Sequence, residues 1–196
     1  MSGLVGSKLN IRGSGLVGSL GTDGQHLLSA GAGVTNIFET VSAGGITVAD
    51  NWRINADMAV DAAETDIDTG WEQVDTTGQT NLGSSMTESS GVFTFPSTGI
   101  YWVQFQIYYV HGTGASVARA IIEHFDGSST YTDLADVRSY AANNNEVVTI
   151  STLFDCQDTA ADQVIFYGGG SVNGNVIAGS TSNNRTAATF IRLGDT

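Results

Sequence analysis

The stretch from Tyr101 to Val110 alternates between two kinds of side chain, and this pattern constrains the fold more than any other feature of the sequence. Its odd positions are all apolar, whereas its even positions are mixed: Trp102, Gln104, Gln106 and Tyr108. Successive side chains of a β-strand point to opposite faces. The pattern therefore predicts a long strand with one face in a hydrophobic core and a second face of different character.

Other β-rich runs are separated by clusters of turn-forming residues. The runs cover residues 117–125, 147–154, 164–167 and 187–193, and the turn clusters cover residues 126–129, 143–145, 168–170 and 182–184. Many short strands with Gly, Asn and Ser turns, and no long amphipathic helical pattern, are typical of sandwiches and jelly rolls. The sequence therefore predicts an all-β, antiparallel fold.

Charge and composition exclude several classes of protein. The net charge is −13, which disfavours nucleic acids and anionic membranes as partners because both would repel the chain. No apolar run approaches the roughly 18 residues of a membrane-spanning helix, and the first residues do not resemble a signal peptide. The single cysteine cannot form an intrachain disulfide, and a free thiol agrees with assembly in the cytoplasm.

The first 45 residues differ from the rest of the chain in charge and texture. They are neutral overall, and the sequence Ser-Gly-Leu-Val-Gly-Ser occurs at residues 2–7 and again at 14–19. A flexible Gly/Ser leader is one interpretation, but a linker has no need of the apolar side chains Leu4, Val5, Ile11, Leu16, Val17, Leu27 and Leu28. We therefore predict an extended docking arm over residues 1–45 and a folded head over residues 46–196.

The sequence LGSSMTESSGVFTFPSTGIYWVQFQ resembles a Phe-x-Phe-Pro-x-x-Gly-x-Tyr hairpin of the tumour necrosis factor and complement component 1q superfamily. The matching residues, which we expect in a core hairpin, are Phe93, Phe95, Pro96, Gly99 and Tyr101. Virion proteins of marine tailed bacteriophages that carry such a head are a closer likeness. The resemblance covers residues 46–196 and implies a jelly-roll sandwich of the tumour necrosis factor-like type.

The resemblance also implies a homotrimer, because such heads are trimers. In the family pattern the residue after the hairpin tyrosine faces the trimer axis, and here that residue is Trp102. A monomer would leave the aromatic second face partly in water, whereas a threefold interface would bury it. We therefore expect Trp102, Gln104 and Tyr108 at the interface; the alternative is an isolated exposed aromatic.

Catalytic and metal-binding patterns are weak. The three histidines are scattered, no Gly-x-Ser-x-Gly nucleophile motif occurs, and nothing predicts a cofactor or an enzyme. Asp66 and Asp68 partly match a calcium-binding loop but lack its third ligand and have the glycine one place early. Some complement-head relatives bind calcium near the trimer axis, so these two residues are weak candidates in a chain for which we predict no metal.

Three functions compete at this stage. A capsid decoration protein or head fibre would use its arm to bind the major capsid protein or another virion protein. A receptor-binding tail-fibre tip would bind a host-surface glycan or protein, and a secreted ligand-like trimer or lectin is the third alternative. Fibre tips usually end long shafts, whereas only about 45 residues precede this head. We therefore predict decoration, with the protein located on the virion surface after assembly in the host cytoplasm.

Overall fold

The computed structural model describes residues 22, 25–28, 37–39, 45–60, 64–112, 115–142, 145–170 and 175–196. The chain divides into two compact units, Met1–Gly44 and Gly45–Thr196. Every helix or strand in the described residues is a β-strand, so the all-β prediction is confirmed. The described residues contain no helix that is long and apolar enough to cross a membrane.

In the first unit, two short strands pair with each other. They are β1 (His26–Leu28) and β2 (Ile37–Glu39), which are antiparallel with Leu27 opposite Phe38. The chain therefore reverses direction between them, a feature that the arm prediction did not include. Leu27 and Leu28 are exposed in β1. The other predicted docking residues lie outside the described part of the chain: Leu4, Val5, Ile11, Leu16 and Val17.

The second unit has two antiparallel sheets. The first sheet contains β3 (Ala49–Ile54), β4 (Met58–Val60), β6 (Trp71–Gln73), β9 (Gly99–Val110), β12 (Glu146–Cys156), β14 (Asn175–Ile177) and β15 (Ala187–Gly194). The second sheet contains β5 (Thr65–Asp66), β7 (Thr87–Ser89), β8 (Val92–Thr94), β10 (Ala115–Phe125), β11 (Tyr131–Ala142) and β13 (Gln163–Gly170). The order of strands is β4-β14-β9-β15-β3-β6 in the first sheet, with β12 on β9, and β11-β10-β13-β8-β7 in the second, with β5 on β13.

The predicted long strand, β9, lies inside the first sheet. It pairs with β12 over residues 99–109, with β15 over residues 100–106 and with β14 at residues 109–110. Burial alternates along all of its residues. The odd positions enter the core and are fully buried: Tyr101, Val103, Phe105, Ile107 and Tyr109.

Phe93 joins the two sheets through aromatic contacts. It comes from β8 in the second sheet, and its ring centre lies 5.0 Å from Trp71 and 5.2 Å from Phe190, both in the first sheet. Phe166 of β13 is 5.4 Å away. Edge-to-face and tilted ring pairs at these distances stabilise a core beyond the area they bury.

The Phe93–Tyr101 motif is a corner between sheets, and its description as a hairpin was wrong. β8 pairs with β7 and β13, whereas β9 pairs with strands of the other sheet. The half-buried Pro96 lies in this corner, and the hydroxyl of Tyr101 donates a hydrogen bond to Ser97 O at 2.9 Å. Gly99 has a φ of 143°, and a Cβ there would lie 2.5 Å from Gly194 O. This position therefore requires glycine.

Tyr109 provides a polar link between the sheets. From β9 in the first sheet, its buried hydroxyl donates to Arg119 O at 2.6 Å and accepts from Gly169 N at 2.6 Å. Arg119 and Gly169 are opposite each other on β10 and β13. One side chain thus satisfies backbone groups on two strands of the second sheet.

We predict that Tyr109→Phe lowers the free energy of unfolding by about 2–4 kcal/mol, because it leaves a buried N–H and a buried carbonyl without their partner. Urea denaturation followed by circular dichroism measures this change. Tyr140→Phe is the matched control, since the Tyr140 side chain is 70% exposed, and we expect a change below about 0.5 kcal/mol. Equal stability of the two variants would contradict the role assigned to the Tyr109 hydroxyl.

Candidate functional site

The outer face of the first sheet carries the even positions of β9. Trp102, Gln104, Gln106 and Tyr108 are each half-buried and point away from the core. The structure therefore brings the three predicted interface residues, Trp102, Gln104 and Tyr108, onto one face. The residues opposite them on β12 are exposed.

Apolar side chains form a row across this face. Trp102 lies directly opposite Leu153 of β12 and Ile191 of β15. Leu153 is 65% exposed, although opposite residues in antiparallel strands are close enough to pack. Val147, which is also exposed, lies opposite Tyr108. We call Leu153, Trp102 and Ile191 the outer row; it is apolar surface that the described chain leaves uncovered.

Beside the outer row, the centre of the face is polar and uncharged, whereas the exposed Asp155, opposite Ile100, places one carboxylate on the other side of Leu153. Gln104 lies opposite Ser151 and Thr189. The Thr189 hydroxyl donates to Asn51 Oδ1 at 2.6 Å. The centre of this surface therefore has no like charges that would repel a second copy of the chain.

A buried cation at the margin of this face is paired with two carboxylates. Arg53 is fully buried, and its guanidinium donates to Glu72 Oε1 and Asp75 Oδ1, both at 2.7 Å. It also donates to the carbonyl of Thr181. Arg53 therefore ties the segments around Asp75 and Thr181 to the sheet, and a buried charge paired in this way is costly to unpair.

The three histidines occupy separate environments. His26 is exposed in β1, whereas the buried His111 has its Nε2 3.6 Å from Glu146 Oε2. Nε2 of His124 is 3.2 Å from Asp162 Oδ1. Among the described residues, no group of three or more His, Cys, Asp or Glu side chains is arranged to hold a metal ion.

The weak metal candidates lie at the second sheet. Asp66 is in β5 opposite Tyr167 of β13, and Asp68 follows that strand. Both residues are exposed. Partial burial, together with the neighbouring carboxylate of Asp68, raises the pKa of Asp66.

Sequence reasoning missed a pair of carboxyl groups on the outer face of the same sheet. Glu123 of β10 lies directly opposite Asp133 of β11 and is only 8% exposed. Burial and the adjacent Asp133 raise the pKa of Glu123 to about 7. The alternation within β10 could have predicted that Arg119 and Glu123 lie on the same face of the sheet. It could not have predicted that Glu123 lies opposite Asp133, because this pairing depends on a register shift between Ile122 and Glu123.

No protein-family model and no curated protein sequence matches the chain, but solved structures do. The tumour necrosis factor Eiger from S. frugiperda matches with a TM-score of 0.57 and 14% identity, over 78% of this chain and 96% of that chain. Murine APRIL at pH 5.0 matches with a TM-score of 0.55 and 13% identity, over 74% and 98%. PRD1 vertex protein P5 has a TM-score of 0.49 and 19% identity, over 77% of this chain and 100% of that chain. The predicted tumour necrosis factor-like jelly roll is confirmed as the fold.

We predict that Glu123 makes the protein less stable as pH rises through about 7. The raised pKa means that the folded protein holds this proton more tightly than the unfolded chain does, so the stabilisation is present at acid pH and lost above pH 7. Glu123→Gln should therefore be more stable than the wild type at pH 8 by about 1–3 kcal/mol, and the difference should shrink towards pH 5.

Thermal and urea unfolding at pH 5.5, 7 and 8 test this expectation. Glu39→Gln is the control, because Glu39 is exposed in β2, and its effect should stay within about 0.5 kcal/mol at each pH. If Glu123→Gln keeps the wild-type dependence of stability on pH, Glu123 does not have the raised pKa on which this prediction depends.

Proposed function

We propose that this protein is a structural component of a virion, a homotrimer that decorates the capsid. The head, residues 46–196, assembles through the outer face of its first sheet. The arm, residues 1–45, attaches the trimer to the major capsid protein or another shell protein. The acidic head then projects outwards, and the proposal includes no catalytic step.

The observation that carries the assembly step is the outer row. Leu153 is 65% exposed and lies beside Trp102 in the sheet register, so solvent contacts two large apolar side chains on one surface. Burying such a side chain contributes about 1.5–3 kcal/mol. A symmetric assembly buries every copy at once, and this favours a closed oligomer.

Charge favours a second copy of the chain as the occupant of this face. The molecule carries a net charge of −13, so copies would repel each other across most surfaces. The outer row and the neighbouring Gln104, Ser151 and Thr189 are uncharged. Self-association through the centre of this face therefore brings few like charges together, the exposed Asp155 beside Leu153 being a carboxylate on the same face. The threefold stoichiometry follows the sequence resemblance to tumour necrosis factor-like heads.

The virion assignment rests on two features of the sequence. The Phe93–Tyr101 motif resembles that of tailed-phage virion proteins, and the neutral arm repeats an apolar Leu-Val pair at residues 4–5 and 16–17. Each pair could fill a pocket on a shell while the adjacent glycines let the two backbones approach. Three arms on one trimer would convert modest affinity into stable attachment.

We predict that the wild-type protein contains three chains and that Leu153→Asp separates them. The substitution places three carboxylates in the interface, and it leaves the monomer fold intact because Leu153 is exposed there. Trp102→Ala should weaken assembly as well, since burial of an aromatic contributes about 2–3 kcal/mol. Light scattering after size exclusion gives the number of chains, with at least a tenfold loss of trimer expected for Leu153→Asp.

Tyr140→Asp is the matched control, because Tyr140 is 70% exposed on β11 of the second sheet and lies outside the proposed interface. It should leave the trimer intact. A wild-type protein that is monomeric at micromolar concentration, or a Leu153→Asp variant that remains trimeric, would overturn the proposed assembly.

We also predict that residues 46–196 fold and trimerise without the arm but no longer attach to particles. Burying four Leu and Val side chains gives about 6–10 kcal/mol of gross hydrophobic free energy per chain, and ordering the arm offsets much of it. The measurement is binding of full-length and truncated protein to particles that lack it, with circular dichroism as the folding check.

Equal binding of the truncated and full-length proteins would place the docking surface on the head. Reconstruction of the particle by electron microscopy distinguishes the decoration protein from its alternative, the receptor-binding tip of a tail fibre. A trimer on the shell supports decoration, whereas a trimer at the end of a tail fibre supports the alternative.

A further inference from the structure

A small cleft opens on the outer face of the second sheet. Its volume is about 80 Å³, and the residues that line it include Asp66, Asp68, Ser90, Tyr131 and Tyr167. One water molecule needs about 10–15 Å³ on this scale. The cleft therefore has room for a small chemical group and not for an extended ligand.

One wall of the cleft is an exposed aromatic ring held in a fixed orientation. Tyr131 is 53% exposed, although it belongs to a paired strand. Its ring stacks on Phe125 of β10 with centres 4.9 Å apart and planes at 20°. Because the fold already orders this ring, a ligand that binds to it causes little further loss of side-chain entropy.

Carboxyl groups surround this aromatic wall. Asp66 and Asp68 line the cleft, and Glu123 lies opposite Ile165, another residue of its lining. Glu123 is 8% exposed, and its neighbour across the strand is a second carboxyl, Asp133.

Two arginines of this sheet, Arg119 and Arg138, are already paired with carboxylates, and Arg138 lies 3.5 Å from Asp136. Arg119 donates to both carboxylate oxygens of Asp136, at 2.8 and 2.7 Å, and also to Glu64. Its charge is therefore taken up by its own partners. The carboxylates at the cleft retain an excess of negative charge. Partial burial, and after it repulsion from Asp68 and Glu64, raises the pKa of Asp66.

We propose that this cleft binds an organic cation, specifically an ammonium or guanidinium group. The two features of the cleft select this class together. Carboxylates attract any cation, but an aromatic face adds affinity for a cation that can stack on it. A divalent metal gains nothing from Tyr131, and the described residues contain no three-ligand group to hold one.

This inference does not depend on the proposed function. The cleft lies on the second sheet, whereas the proposed interface lies on the first. Ligand binding and chain number can therefore be measured separately on the same full-length protein, and failure of one proposal leaves the other standing.

The test is a titration of isotopically labelled full-length protein with methylguanidinium, methylammonium and N-methylurea, followed by backbone amide chemical shifts. N-methylurea is the neutral control, similar to methylguanidinium in shape but without its charge. We expect saturable shifts at Ser90, Gly91 and Tyr131 with a millimolar dissociation constant for at least one cation. N-methylurea should bind at least tenfold more weakly. A preference between the cations indicates whether an arginine-like or a lysine-like group fits better.

Variants separate the roles of charge and aromatic surface. The double variant Asp66→Asn with Asp68→Asn should weaken cation binding at least tenfold, and Tyr131→Leu at least threefold, while Tyr131→Phe should bind within twofold of the wild type. Two controls should also stay within twofold. They are Tyr140→Leu, at an exposed tyrosine of the same strand, and Asp195→Asn, at a carboxylate that is 93% exposed.

Three results would overturn the proposal. They are the absence of saturable shifts with both cations, equal affinity for N-methylurea, and loss of binding in the controls as large as in the cleft variants. The protein is also titrated with calcium. If calcium binds the same residues more tightly than either organic cation and Tyr131→Leu has no effect, the cleft is a metal site.

Discussion

The strict alternation of β9 is the constraint on which the rest of the head depends. Its five odd side chains from Tyr101 to Tyr109 are fully buried, and its even side chains face outwards. Because β12 and β15 pair along its two edges, their side chains are sorted onto the same two faces. A slip of one residue would exchange the core and the surface of the sheet. Core and candidate interface are therefore specified by the same strand.

The two sheets are fixed to each other by a few residues that cross the core. Phe93, in the second sheet, packs its ring against Trp71 and Phe190 of the first. Tyr109 belongs to the first sheet, and its hydroxyl forms hydrogen bonds with backbone groups of β10 and β13 in the second. These contacts hold the sandwich together while leaving both outer faces free. One outer face has an apolar row and an uncharged centre, and the other is acidic with an exposed aromatic stack.

The sequence was most informative where a local pattern decides the outcome. Alternation predicted the buried and outward faces of β9, and the jelly roll followed from the motif around Phe93. Features that depend on long-range partners could not be read in this way. Arg53 is fully buried because Glu72, Asp75 and Thr181 surround it. The opposition of Glu123 and Asp133 requires a register shift, and the motif itself suggested a hairpin where the chain changes sheets.

The two outer faces are compatible with each other in one assembly. They lie on opposite sides of a sandwich, so copies that pack through the first sheet leave the second sheet in contact with solvent. Every trimer would then display three clefts, each beside its own Tyr131. A group bound with only millimolar affinity at one cleft would be held far more tightly by a surface that presents many such groups, provided that their spacing lets several engage at once. Oligomerisation through the face that carries the outer row would thus strengthen the weak binding at the acidic face.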